Sequence, residues 1–415
     1  MVTTMHDEAF QNKLKTAIFI FILVSAFTGF IQNVTDTLMA NYFKEAYDAT
    51  ASQRGFIEIP RELPGIVSVF IISALSFLRD FRMAVIAQFL GVIGMMVLGL
   101  FHPSYGVMLI FIFIFSLGAH MFIPLGDSIG LSLTTPDTMG RLLGKFNSMR
   151  MAFGVVAGLV GFFGFRSGVF SFSVPVEVYL ICAISFAACA ILLIMMRAKI
   201  GKDIESRTEV SKPVFRKEYI RYYIICGLYG GRKQIMLVFS PWVLIELLGF
   251  KADVMSMIGV VGAFIGIFFI PFIGRLIDKR GSRFTMMVEA GCFIAVYVAY
   301  GLLSKWVSDS TVVLTGIGMI LIYILIVFDK MSAQFYMVRS IYLKSIAVKE
   351  EDVTPSLSTG MAIDHVVAIV GAFLCGIVWD RFGPEFVFII AAVLSIANLL
   401  VAYGIKKDAV IDRAI

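Results

Sequence analysis

The sequence predicts an all-α membrane protein, with twelve transmembrane helices in two pseudo-symmetric six-helix bundles. Composition gives the first reason: 59% of the 415 residues are hydrophobic and only 15% charged, too little charge for a soluble chain of this size. The mean hydropathy is +0.91. Apolar runs of about 18 residues or more recur along the whole length, each able to cross a hydrocarbon core as a helix. A β-barrel would instead alternate apolar and polar residues over about 10 positions per strand.

The N-terminal stretch MVTTMHDEAFQNKLK is polar. It leads into an apolar run too long for a signal-peptide core, with no small-residue cleavage site after it, so the run is expected to be retained. The expected spans of the first half lie near 16–40, 56–78, 83–101, 106–129, 146–166 and 177–197. Those of the second lie near 220–248, 253–277, 284–304, 311–338, 357–379 and 384–405. Residues 1–197 then form one bundle, 220–415 the other, and the polar stretch 198–219 a cytoplasmic linker. With the N-terminus inside, about 25 of the 35 Lys and Arg residues face the cytoplasm and about 7 face outward. An even span count returns both termini to the cytoplasm, and the expected location is the cell membrane. Topology accounts for the net charge of +6, so the charge does not point to nucleic acid. Loops are too short for a soluble catalytic domain, and a monomer is expected. Cys182, Cys189, Cys226, Cys292 and Cys375 fall inside spans without metal-ligand or CxxC spacing, as small packing residues would.

The two halves repeat. One common shift lays GFIQN (Gly29–Asn33) over GGRKQ (Gly230–Gln234), and SALSFLRDFR (Ser73–Arg82) over GRLIDKRGSR (Gly274–Arg283). Spans five and eleven also correspond, AFGVVAGLVGFFGF with VVAIVGAFLCGIVW. Repeated six-helix halves suit a transporter whose site lies between them near mid-membrane. GRLIDKRGSR resembles the loop motif of the major facilitator superfamily, G-x-L-x-D-R-x-G-R-R, at Gly274, Leu276, Asp278, Gly281 and Arg283. Span count, linker, repeat and motif position extend the resemblance over essentially the whole chain. The resemblance implies that Asp278, with Arg280, Arg283 and neighbouring basic residues, forms a cytoplasmic gate that breaks and remakes during alternating access. The first-half copy departs from the pattern, with Phe77 in place of the acid and Asp80 in place of the glycine. GVVAGLVGFFG in span five resembles the superfamily's exporter motif without its proline, and close helix packing explains its glycines equally well.

Arg232 and Lys233 stand together inside span seven, where each costs about 2.5–3.5 kcal/mol on insertion scales. Adjacent residues point about 100° apart on a helix, so the two cannot face one neighbour. Gly230 and Gly231 before them are expected to weaken the helix and expose backbone groups, including carbonyls that could ligate sodium. In span one, Thr28, Gln32, Thr35 and Asp36 fall on one face with Asn33 beside it. Two polar faces at matching depth suggest cavity walls. Two cations there favour an anionic small molecule, gripped by Arg232, Lys233, Gln234, Gln32, Asn33, Asp36 and His120.

As structural partners for the two cations the sequence offers Asp36, Asp127, Asp329 and Asp364. Asp364 with His365, and Asp127 in span four, are the proton-coupling candidates, since an imidazole titrates near neutral pH. Asp329 with Lys330 reads as a local interhelical ion pair, Glu58, Arg61 and Glu62 as an outer-surface entrance or anchor, and Glu289 receives no role. There is no P-loop, HExxH or GxSxG, so no enzyme is expected and an ion gradient should supply the energy. The leading expectation is a secondary transporter of a small organic anion, coupled to protons, with no cofactor. The alternative is proton-driven efflux of amphipathic or cationic compounds, which the 39 Phe and 22 Met residues would suit. A non-transporting membrane protein would have lost the gating motif, and a lipid enzyme would need a nucleophile and base that the sequence does not cluster.

Overall fold

The structure is a computed structural model that describes residues 2–75, 77–135, 138–201, 215–309 and 316–405. The described residues are helical throughout, without strands. In chain order they form α1 (Val2–Tyr47), α2 (Ala51–Ala74), α3 (Asp80–Leu100), α4 (Tyr105–Ser132), α5 (Met139–Arg166) and α6 (Glu177–Ile200). The second half contributes α7 (Ile220–Trp242), α8 (Ala252–Asp309), α9 (Ile317–Ala333), α10 (Val338–Ile346), α11 (Val353–Phe382) and α12 (Pro384–Tyr403). Most of the expected linker, residues 202–214, lies outside the described part.

Among the described residues, nine helices are long and apolar enough to cross a membrane. The long α8 counts once among them although it bends at Gly281, and α9 with α10 forms a single stretch, Ile317–Ile346. α2 and α7 fall outside the nine, and these are the helices that carry Arg54, Glu58, Arg61 and Glu62, and Arg232 and Lys233. The arrangement is compatible with twelve spans. Large apolar side chains such as Phe70, Phe163, Phe268, Leu302 and Leu400 are more than 60% exposed, as lipid-facing residues should be.

Two compact units emerge from the packing. The first comprises Met1–Tyr42, Pro64–Val210 and Ala252–Val260, and the second Phe43–Leu63, Ser211–Lys251 and Val261–Ile415. In the first, Phe21, Phe81, Phe122, Leu125, Phe146 and Leu193 form a core. In the second, Tyr219, Tyr222, Ile273, Met286, Phe335 and Tyr342 do so.

The repeat has a packing counterpart inside each unit. Gly29 of α1 lets the backbone of α5 approach, since a Cβ there would lie 2.0 Å from the Arg150 carbonyl oxygen. Its repeat equivalent, Gly230 of α7, does the same for α11, where a Cβ would lie 2.4 Å from the Asp364 carbonyl oxygen. Each glycine serves a close helix contact. In α8, Gly281 has φ 79° and ψ 168°, a conformation that turns the chain between two helical arms and that other residues resist.

Three expectations need correction. α2 starts at Ala51, five residues before the expected boundary. α7 is continuous through Gly230 and Gly231, so no backbone carbonyl is freed there and the sodium site expected at a helix break has no basis. Its α-helical part ends at Trp242, after Pro241, and runs into a π-helical turn, Val243–Leu247. Gly29→Ala and Gly230→Ala should each cost about 1–3 kcal/mol by overpacking against backbone that cannot yield. Melting curves of the purified variants check this, and wild-type melting of both would contradict the packing account.

Candidate substrate and coupling site

The polar interior of the second unit is organised by three consecutive residues of α7. Successive side chains on a helix rotate by about 100°, and here they reach three different helices. Arg232, fully buried, donates from Nη2 to Oε1 of Glu289 in the second arm of α8 at 2.8 Å. Lys233 donates from Nζ to Oδ2 of Asp364 in α11 at 2.9 Å. Gln234 donates from Nε2 to Oε2 of Glu58 in α2.

Arg232 shares its carboxylate. Nη1 of Arg339, from α10, lies 3.5 Å from the same Glu289 oxygen. Aromatic faces support both guanidiniums. Arg232 stands 4.4 Å over the Phe293 ring and Arg339 3.1 Å over the Tyr229 ring, with Lys233 Nζ 5.7 Å from the Tyr229 centroid. The Tyr297 hydroxyl donates to the Arg232 carbonyl oxygen at 2.6 Å and ties α8 to the same turn of α7. Two guanidiniums against one carboxylate leave a positive charge over. Nε and Nη1 of Arg232 are buried without a hydrogen-bond partner, as are Oε2 of Glu289 and Oδ1 of Asp364. Such groups cost free energy unless something pairs with them.

The N-terminal half of α2 supplies a second cluster. Arg54, Glu58, Arg61 and Glu62 fall at i, i+4, i+7 and i+8, on one helix face. Glu58 pairs with Arg54 and, at 2.7 Å, with Nη2 of Arg61. Arg61 also holds Glu62 at 2.8 Å, and Glu62 lies 3.0 Å from Nδ1 of His365 in α11. The last contact becomes an ion pair when the imidazole is protonated.

Several predicted residues therefore come together: Arg232, Lys233, Gln234, Asp364 and His365. Of the proposed partners for the two cations, Asp364 is one, and the other is Glu289, which sequence reasoning left without a role. The reading of Glu58, Arg61 and Glu62 as a surface feature is overturned, because Glu58 is fully buried and Glu62 nearly so. The expected ion pair at Asp329 is absent among the described residues: its Oδ1 is buried without a hydrogen-bond partner. Lys330 instead lays its stem along Gly262.

The other predicted residues belong to the first unit and to the motif GRLIDKRGSR. In the first unit, Gln32, Asp36 and Asp127 are exposed. Asn33 packs beside Gly154 and Gly259, and the hydroxyls of Thr28 and Thr35 bond carbonyl oxygens of their own helix. His120 Nδ1 lies 2.9 Å from the Ser116 carbonyl oxygen, one turn back in α4. In the motif GRLIDKRGSR, half-buried Gly274 precedes exposed Asp278 and Arg280, and Gly281 makes the turn. Arg283 lies over the Tyr403 ring at 5.0 Å and Arg280 over Phe284 at 5.5 Å. Asp278 takes part in no ion pair among the described residues, so the gate expected from the resemblance is not assembled around it here.

At the C-terminal end of the expected linker, Arg216 donates from Nε to Oδ2 of Asp352 at 2.7 Å, and the Tyr219 hydroxyl donates to the same oxygen at 3.0 Å. The Arg216 hydrogen bond holds the Asp352 carboxyl below its ordinary range. A depressed folded-state pKa stabilises the fold above the ordinary carboxylate range, and the gain is lost as pH falls through the folded value. Asp352→Asn should therefore melt below wild type at neutral pH, with the gap closing as pH drops below about 4. A gap independent of pH would contradict this.

Glu289→Gln leaves two buried guanidiniums facing one neutral amide. Removing one partner of a buried pair costs about 3–5 kcal/mol, so this variant should be strongly destabilised. Adding Arg339→Gln should restore part of the loss. Additive destabilisation in the double variant, read by thermal unfolding, would contradict the shared-carboxylate geometry.

The Major Facilitator Superfamily model matches residues 18–333. No curated protein matches the chain by sequence. Among solved structures, the nucleoside transporter NupG superposes with TM-score 0.71 at 13% identity, covering 94% of this chain and all of that one. A POT family transporter in complex with 5-aminolevulinic acid gives 0.72 at 13% identity, covering 92% and 94%. A D-xylose-proton symporter gives 0.67 at 14% identity, covering 95% and 99%. At such identities the likeness carries the fold alone. The helical fold, the lipid-facing apolar surface and the family match over most of the chain agree: the chain belongs to the major facilitator superfamily and is a multi-pass membrane transporter, not an enzyme.

Proposed function

We propose that this chain is a secondary active transporter that carries a small organic anion by alternating access, driven by protons. One observation carries the reading: Arg232 and Arg339 share Glu289, leaving a buried positive charge and unpaired guanidinium N–H groups. Arginine suits a bidentate grip on carboxylate or phosphate. Arg339 and Lys233 keep 11% and 17% of their side chains exposed, so they are the members of the cluster that an entering anion meets first.

Asp364 is then the resting counter-ion of Lys233. A substrate anion takes its place, and the exchange of partners gives substrate a differential affinity for the two states of the carrier. Gln234, tied to Glu58, sets the neighbouring wall. Both termini lie in the cytoplasm in this reading, and the carrier works as a monomer in the cell membrane.

In proteoliposomes, Lys233→Gln and Arg339→Gln should abolish exchange of carboxylates and phosphate esters while leaving folded protein. Asp364→Asn should bind the anion more tightly and turn over more slowly, because Lys233 has lost its competitor. Wild-type exchange in both cation variants would overturn the anion reading.

A further inference from the structure

In the second unit the charge network leaves out one buried acid. Asp329 lies in α9, inside the candidate membrane span Ile317–Ile346, where an ionised group is costly. It is 4% exposed and its Oδ1 has no hydrogen-bond partner. Glu58, Glu62, Glu289 and Asp364 each face a cationic side chain, whereas Asp329 takes part in no ion pair among the described residues.

Its surroundings offer it little as an anion. On its own helix Lys330 follows it, but the stem of Lys330 runs along Gly262 of the first arm of α8. From the second arm, Tyr297 and Tyr300 lie within electrostatic reach, and both are fully buried. The one hydroxyl proton of Tyr297 is given to the Arg232 carbonyl oxygen, so towards a carboxyl that oxygen can only accept. The Tyr300 hydroxyl has no geometrically good partner, and Ser240 of α7 is its polar neighbour. The cation within electrostatic reach of the carboxyl is Lys330, which forms no ion pair with it. An ionised carboxylate without a counter-ion in such a place would neutralise.

We propose that Asp329 is a proton-carrying carboxyl of the transport cycle, neutral in this conformation and ionised when rearrangement of α9 against α8 brings it water or a cation. The proposal deepens the proton-driven reading above and rests on it. Tyr297 links the two sites: its hydroxyl lies within electrostatic reach of Asp329 and donates to the backbone of Arg232. A change at the carboxyl thereby reaches the turn of α7 that holds the anion.

Infrared spectroscopy of the purified, substrate-free protein tests the protonation state directly. The wild type at neutral pH should show a neutral-carboxyl carbonyl band that Asp329→Asn lacks. An unchanged band overturns the proposal. Where the Asn variant does not fold, Asp329→Glu is read instead: a shifted band supports the assignment and an unshifted one overturns it. The transport arm uses whichever labelled anion of a carboxylate and phosphate-ester panel the wild type exchanges. Asp329→Asn should keep exchange but lose accumulation against a pH gradient. Wild-type accumulation by Asp329→Asn also overturns it. A wild type that exchanges no anion would sink the anion reading alone and leave the infrared band to decide Asp329.

Discussion

The second unit is built around a charge imbalance: two arginines, Arg232 and Arg339, on one carboxylate, Glu289. Neither guanidinium can be removed from Glu289 without stranding a charge, and neither is fully paired while they share it. The surrounding aromatic side chains follow from this. Tyr229 and Phe293 offer ring faces, among the described residues no second carboxylate forms an ion pair with either arginine, and Tyr297 pins the α7 backbone at the same turn. A purely structural cluster would gain from a second acid, so the missing acid is the feature that function must explain.

Close packing makes such an arrangement possible. Gly230 brings α11 against α7, so Lys233 meets Asp364 next to the residue, Arg232, that meets Glu289. The same device joins α1 and α5 through Gly29, although no ion pair like that of Lys233 is built around it. The repeat therefore preserves helix contacts more faithfully than chemistry. α1 carries hydroxyls bonded to its own helix and an Asn in a packed position, while α7 carries Arg232 and Lys233.

Much of this was legible in the sequence. Long apolar runs define spans whatever their neighbours, and the Gly29 and Gly230 register exposed the repeat. Arg232 and Lys233 stood out because buried charge is rare, and their divergence to different partners followed from helix geometry. What failed depended on long-range contacts. Glu289 looked like a helix-end residue, and only the fold brings it to Arg232. Arg339 fell one residue past the expected end of span ten, which in fact continues to Ile346 through a 3-10 turn. The α2 cluster had a readable signal, since Arg54, Glu58, Arg61 and Glu62 repeat at helical spacing, but the boundary placed at residue 56 made it look interfacial. The glycine pair before Arg232 was read as a break because glycine weakens helices in isolation, and tertiary contact with α11 outweighs that preference.

In the proposed function, the surplus charge at Arg232 and Arg339 exists for an anionic ligand. Thermal unfolding of the purified protein against small carboxylates and phosphate esters, with lipophilic cations in parallel, tests it most directly. A ligand that binds only the folded state stabilises it by about 2.7 kcal/mol at a hundredfold excess over Kd. Stabilisation by anions, absent with the cations, is the predicted result. Stabilisation by lipophilic cations alone would contradict the account and make the arginine pair a scaffold for some other cargo.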